Sequence, residues 1–381
     1  MKNFDIIIVG GGLVGYAFAL DLAKQNPKFT LAVIEAVKPS FINIDDLDNR
    51  IYAIAPDNIA YLKKLGVNID ELRHDIINKM DVSGDLNSNI ILDKNYTKNQ
   101  FLAKTFEYKI LQKELYNKIS ELDNISLIYD NITEIKIEDD NVDLSGANEV
   151  YRTRLIVGAD GANSFIRKIS NIDATLIDYN QSGIVANFKS ELPHKNTAYQ
   201  WFHDGEILAY LPLDDNNISI VWSSNKPDKL LKIDEEDFAK MVSAAGNYQL
   251  GLLKLVTKPV AFPLRMHLLS KIYANKVVLI GDAAHTIHPL AGQGVNLGFR
   301  DARMLSITLA KLASYQLGEI GVLAKYNAKR QIEVKEMQLT CHLLHKLFAA
   351  NNEITKTLRN TGLNLVNKFP LLKKTFMNIA N

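Results

Sequence analysis

The chain carries one cysteine in 381 residues, Cys341. That excludes an intrachain disulfide and any metal site built from several thiolates, and it fits a reducing compartment such as the cytoplasm. Net charge is nearly absent: 44 Lys and Arg face 43 Asp and Glu, a formal balance of +1. Nothing supplies the global basic field that draws nucleic acid, so no nucleic-acid partner is expected. No apolar run approaches the ~20 residues a membrane-spanning helix needs. The first such run, Ile6 to Gly15, has no small-residue cleavage site behind it and reads as structure rather than a signal peptide. Arginine is scarce, with 10 of the 44 basic residues. Internal repeats and low-complexity linkers are also missing. What remains is 47% hydrophobic and 23% charged, the balance of a globular protein of about two domains.

The N-terminus holds the first motif. Phe4 to Val9 reads as a strand buried on both faces. Gly10, Gly12 and Gly15 then fit G-x-G-x-x-G, a helical pattern follows, and a second strand ends at Glu35. In such a βαβ unit Gly10 makes a tight turn, Gly12 lets a pyrophosphate approach the backbone, and Gly15 lets helix and strand pack closely. The helix N-terminus offers free N–H groups to the phosphates. Glu35, 20 residues past Gly15, is placed to accept ribose hydroxyls, which favours FAD or NAD over NADP. The motif does not separate FAD from NAD.

Two later segments point to flavin. Leu155 to Gly158 runs as a strand into Asp160-Gly161 and a helix carrying Arg167. Lys276 to Ile280 runs as a strand into Gly281-Asp282, then His285, His288, Gly292, Gly294, Val295 and Asn296. Asp282 at a strand end suits a ribitol hydroxyl. Gly292 and Gly294 let the chain lie against a flat ring. The N–H groups of Val295 and Asn296 begin a helix and suit negative charge on the ring edge. His285 and His288 have no further ligand arranged with them, so no metal is expected.

These motifs, in this order, resemble the aromatic-ring flavoprotein monooxygenases of the p-hydroxybenzoate hydroxylase fold. The string His288 to Asp301 resembles the signature of one branch, the ubiquinone-biosynthesis hydroxylases. Asp48-Asn49-Arg50, Thr197 to Phe202, Leu208 to Leu213 and Leu358 to Pro370 resemble further segments of that branch. The resemblance implies FAD as cofactor and NAD(P)H as co-substrate. It implies oxygen transfer through a flavin hydroperoxide to a lipophilic phenol or quinone precursor. It places Arg50 beside the flavin or its pyrophosphate, and Gln112 against FAD. Tyr108 and Lys109 depart from the family pattern. No catalytic acid or base is assigned. A prenyl-chain reductase on the same fold and a flavin-bound subunit without turnover remain alternatives.

The expected fold class is α/β: a Rossmann-like FAD-binding domain with an inserted antiparallel sheet domain for substrate and C-terminal helices. The nucleotide domain is expected from 1–76, 101–176 and 263–340, the sheet domain from 77–100 and 177–262, and a helical tail from 341–381. Strands are expected at Gly183 to Lys189, Thr197 to Phe202, Glu206 to Leu211 and Ile218 to Ser223. Tyr199, Trp201, Phe202, Tyr210 and Trp222 are candidates for a pocket facing the flavin, though alternation lets only some of them do so. The tail from Leu363 to Ile379 mixes apolar residues with Lys368, Lys373 and Lys374. Such a tail suits peripheral contact with an anionic membrane, or packing on the flavin domain or on a partner subunit such as another ubiquinone-biosynthesis protein.

Overall fold

The computed structural model describes residues 1–84, 88–203, 205–214, 216–287, 294–349 and 360. Gly292, His288 and the tail from Leu363 to Ile379 lie outside the described residues.

The first strand, Lys2–Val9, is the centre of a largely parallel sheet. It pairs in parallel with Val150–Gly158 on one side and Leu31–Glu35 on the other. Ile125–Tyr129 extends the second flank, and Val277–Leu279 extends the first, both in parallel. Ile6, Ile7 and Ile8 are all fully buried, as both covered faces of a parallel sheet require. Helix Leu13–Gln25 and helix Gly294–Leu309 pack on each other against this sheet. Their approach is set by Gly298, where a Cβ would lie 2.5 Å from Val14 Cγ2.

The second sheet is mostly antiparallel. Its strands run in the order Leu253–Leu255, Ala174–Ser190, Asn217–Ser224, Glu206–Pro212, Thr197–His203, Lys79–Ser83, Asn89–Asp93. Val260–Leu269 also pairs with Ala174–Ser190. That ladder explains why the strand expected from Gly183 begins nine residues earlier, at Ala174. Lys79–Ser83 joins Thr197–His203 in parallel, and Asn89–Asp93 pairs outside it, so these two strands form the edge of this sheet. A three-stranded sheet of Ile51–Ile54, Ala103–Glu107 and His74–Ile77 stands beside both.

Period-two alternation sorts the large sheet's side chains. Ile184, Phe188, Trp201, Tyr210, Ile220 and Trp222 form a core with Phe238 and Val242 of helix Glu235–Ala245. Asp234 caps that helix by accepting from the N–H groups of Glu236 and Asp237. Of the five aromatics expected near a pocket, Trp201, Tyr210 and Trp222 therefore belong to the core. Phe202 lines the cavity described below, while Tyr199, at the cavity's edge, stacks on Trp201 with ring centroids 5.7 Å apart and packs against the same core.

The expected divisions at 176/177 and 262/263 fall inside two mutually paired strands. The division at 340/341 falls inside helix Ile320–Ala349, so no separate tail starts there. Hydrogen-bonded ladders and helical turns run through all three points.

Gly15 shows how tightly the first unit is built: a Cβ there would lie 2.1 Å from the Gly10 carbonyl oxygen. Backbone cannot yield as a side-chain tip can. Gly15→Ala is expected to destabilise the fold by about 1–3 kcal/mol, read as a lower urea midpoint.

Candidate active site

A cavity of about 1720 Å³ lies between the parallel sheet, the large antiparallel sheet and helix Ile320–Ala349. It exceeds the ~300–1,000 Å³ typical of a single small-ligand site. One wall carries the sequence motifs: Gly10, Gly12, Glu35, Arg50, Asp160, Asp282, Gly294, Val295 and Asn296 all line it.

The three glycines of the first motif serve different constraints. Gly10 has φ +115°, and a Cβ there would lie 2.3 Å from the Ala159 oxygen. Gly15 is closed in by the Gly10 carbonyl. At Gly12 a Cβ would meet nothing within 4 Å. Protein packing demands the first and last glycine; only a ligand would demand the middle one. Gly12 is also the N-cap of helix Leu13–Gln25, so the open space lies at a helix N-terminus.

Glu35 Oε2 accepts a hydrogen bond from the Gly11 N–H. Gln112 Nε2 donates to the Gly11 carbonyl at 2.9 Å. These two side chains therefore hold the glycine loop from both sides. Gln112 is not among the cavity-lining residues, so the structure places it behind the loop. Asp160 is likewise committed to protein. It accepts from Ser164 Oγ at 2.6 Å and from the Ile166 N–H at 3.0 Å, which supports the first turn of helix Phe165–Ile169 beside its N-cap, Ser164.

Arg50 is anchored by a tight local turn. Its N–H donates to Asp48 Oδ1 at 3.0 Å, and its guanidinium sits 4.7 Å over the Tyr108 ring. Tyr108, at the family departure, thus provides the platform for Arg50. Burial raises the Tyr108 hydroxyl above its ordinary pKa, and the guanidinium partly counters this. Asp282 is open to the cavity and walled in elsewhere. That surrounding protein raises its carboxyl above the ordinary carboxylate range, against the pull of His285 and Arg50.

Asn296 has a role that the motif did not suggest. Its Oδ1 accepts from the Ala55 N–H at 2.9 Å and from Asn58 Nδ2 at 2.9 Å. Its Nδ2 donates to the Ala53 carbonyl at 2.9 Å. With the Asn296 carbonyl also accepting from Asn58 Nδ2 at 3.2 Å, the residue clamps the start of helix Gly294–Leu309 to the segment 53–58.

Sequence reasoning also missed Asp301 and Arg330. Asp301 is fully buried; its Oδ2 accepts from the Gly281 N–H at 2.8 Å and from His285 Nε2 at 2.6 Å. Its Oδ1 accepts from Arg330 Nε at 2.7 Å, and Arg330 is also fully buried. Burial alone would raise the Asp301 carboxyl; His285 and Arg330 outweigh it and hold the group below the ordinary range. His285 is engaged here through Nε2. The available signal was an acid placed among apolar residues in an otherwise core-facing helix. Nothing in sequence pairs it with Arg330.

Two outcomes test this wall. Asp301→Asn removes the carboxylate from Arg330 Nε and His285 Nε2 and leaves the buried guanidinium only its Nη1 ion pair with Glu333, and thermal unfolding should register a loss of about 3 kcal/mol. Gly12→Ala should leave the stability of FAD-free protein within about 0.5 kcal/mol of the parent while weakening FAD uptake measured by fluorescence titration. Equal FAD uptake would mean the open space at Gly12 holds no phosphate.

Comparison with known proteins bears on the family and the fold. The family described as FAD binding domain matches residues 138–338. The chain is 32% identical to 3-demethoxyubiquinol 3-hydroxylase of Escherichia coli (strain K12), over 99% of this chain and 98% of that protein. It is 31% identical to the mitochondrial ubiquinone biosynthesis monooxygenase COQ6 of Saccharomyces cerevisiae, over 98% of this chain and 92% of that protein. Among solved structures, p-nitrophenol 4-monooxygenase PnpA from Pseudomonas putida DLL-E4 superposes with a TM-score of 0.80 at 17% identity, covering 99% of this chain and 98% of its own. Klebsiella pneumoniae HpxO complexed with FAD and uric acid gives 0.78 at 15% identity, covering 99% and 97%. Those two likenesses concern the fold. The chain belongs to the FAD-dependent hydroxylases of ubiquinone biosynthesis, within the p-hydroxybenzoate hydroxylase type of flavoprotein monooxygenase.

Proposed function

We propose that this protein hydroxylates a polyprenylated phenol, a precursor of ubiquinone, using NAD(P)H and O2. The observation that supports this is the single cavity with two unlike walls: one carries the nucleotide motifs, the other is the inner face of an antiparallel sheet. A shared cavity lets a cofactor ring and a phenol ring meet without crossing bulk water.

On this reading the glycine loop and the N-terminus of helix Leu13–Gln25 take the FAD pyrophosphate. Glu35 takes the adenosine ribose, and Asp282 a ribitol hydroxyl. The backbone N–H groups of Val295 and Asn296 would meet the ring edge, with Gly292 and Gly294 letting the chain lie against the flat ring. Arg50, held on Tyr108, faces the flavin or its pyrophosphate. Gln112, Asp160 and Asn296 hold the backbone that does the binding. Bound FAD would supply the oxygen activation and transfer. The chain's own task is to orient both rings and to keep the cavity dry, which protects the reactive oxygen species from water.

The test is direct. Purified protein should hold one FAD per chain. With NADH or NADPH and a prenylated phenol, it should place one labelled oxygen from 18O2 into the ring. A prenyl-chain reductase would return unlabelled product with a saturated double bond. A subunit without turnover would consume neither reductant nor oxygen. Either result overturns the proposal.

Two substitutions probe the assignments. Asp282→Ala should weaken FAD binding by about 1–3 kcal/mol, because the hydroxyl it accepts from loses its partner. Arg50→Lys keeps the charge but loses the planar fork that stacks on Tyr108. It should slow flavin reduction or weaken FAD affinity; parent-like values in both would remove Arg50 from the site.

A further inference from the structure

The sheet side of the cavity is larger than a phenol ring needs. Its floor is built from side chains in register across six strands. Val185 pairs with Val221, Val221 with Ala209, Ala209 with Gln200, Gln200 with Val82, and Val82 with Ile90. Every member of that row lines the cavity. A second row runs beside it: Ser219 pairs with Leu211, and farther out Ala198 pairs with Met80 and Met80 with Leu92. All five line the cavity too. Only Gln200 and Ser219 in these rows carry polar side chains. Six strands at ~4.8 Å spacing give a floor about 24 Å long.

The sides are apolar as well. On one side stand Ala53, Leu102 and Ala103 of the three-stranded sheet and its flank. On the other, helix Ile320–Ala349 presents Met337, Cys341, Leu344 and Phe348, spaced to share one helix face. Phe348 stacks on Phe202 with ring centroids 3.6 Å apart. Protein interiors close-pack, so apolar surfaces facing each other across open space call for an apolar occupant. A phenol ring covers roughly one or two strand spacings and must stand by the nucleotide wall. The strand Ala174–Ser190 adjoins that wall, since Asn187 Nδ2 donates to the Asp48 carbonyl at 2.9 Å. The edge hairpin of Lys79–Ser83 and Asn89–Asp93 is the far end of the floor.

We propose that this trough is a binding subsite for an extended hydrocarbon chain. The chain runs across the strands from the ring position to the edge hairpin, under the helix face of Met337, Cys341 and Leu344. Its identity as the polyprenyl tail of the substrate rests on the hydroxylase reading above. The trough itself rests on the register and lining of the sheet. Its length sets how many isoprene units contribute to recognition; units beyond the edge hairpin add nothing.

Equilibrium dialysis of FAD-loaded protein against phenols carrying increasing numbers of isoprene units tests this without turnover. Affinity should rise roughly tenfold or more with each of the first added units. It should level off once the chain exceeds about 24 Å. Val82→Trp places bulk in the outer half of the first row, so levelling should come at a shorter chain. Affinity independent of chain length in the parent protein would overturn the proposal, as would an unshifted plateau in a folded Val82→Trp protein. The two readings fail separately. Length-dependent binding with no 18O incorporation sinks the hydroxylase reading and supports the trough. Incorporation with length-independent binding overturns the trough alone.

Discussion

One carboxylate holds the two halves of the cavity in place. Asp301 lies inside helix Gly294–Leu309 and reaches three elements at once. Through the Gly281 N–H it fixes the turn that presents Asp282. Through His285 it fixes the chain leaving that turn, and through Arg330 it fixes the long helix that forms one side of the trough. A buried ion pair is weak evidence for stability, because desolvation offsets much of its attraction. Its consequence here is positional. Apolar packing alone would allow a helix to slide, whereas charged hydrogen bonds at 2.6 to 2.8 Å do not.

The walls divide the chemistry between backbone and side chain. The nucleotide wall offers glycines, helix N-termini and a few carboxylates, while neighbouring side chains hold that backbone: Gln112 on Gly11, Asp160 on its helix, Asn296 on residues 53–58. Fixed backbone dipoles need no reorganisation when charge develops on a bound ring. The opposite wall is largely apolar. Such a pairing strengthens electrostatic interactions on the polar side, because the apolar side keeps water and its dielectric away.

Local patterns in the sequence reached far into this arrangement. The glycine motif, Glu35, the Asp-Gly turn and Gly281-Asp282 each sit within a few residues of a strand end, so short-range pattern was enough to place them. The hairpins around Leu208 and Ile220 were legible from turn residues and alternation. Features that depend on distant pairing were not legible. Asp301 and Arg330 are separated by 29 positions with no local signal joining them. The parallel addition of Lys79–Ser83 to Thr197–His203 places a segment from before the second nucleotide motif in the cavity floor. Alternation also could not say which face of the sheet is which. Trp201 and Phe202 are adjacent and equally aromatic, yet one supports helix Glu235–Ala245 and the other meets Phe348.

The glycines show how structure bears on reasons the motif assigns. The pattern alone gives Gly10 a tight turn, Gly12 a phosphate approach and Gly15 close helix–strand packing. In space, two are fixed by protein atoms 2.1 and 2.3 Å from where a Cβ would be, and one by nothing within 4 Å. A residue type that packing does not require, at a helix N-terminus lining a cavity, is explained by what approaches it from outside. The same reasoning applies to the floor. Core sheets bury large side chains, as the Trp201 face does. The first cavity row instead carries Val185, Val221, Ala209 and Val82 at four of its six positions, short residues that leave room, with Gln200 and Ile90 the longer members. Both walls are thus cut back where a ligand would lie, one by the loss of a side chain and the other by shortening a row of them.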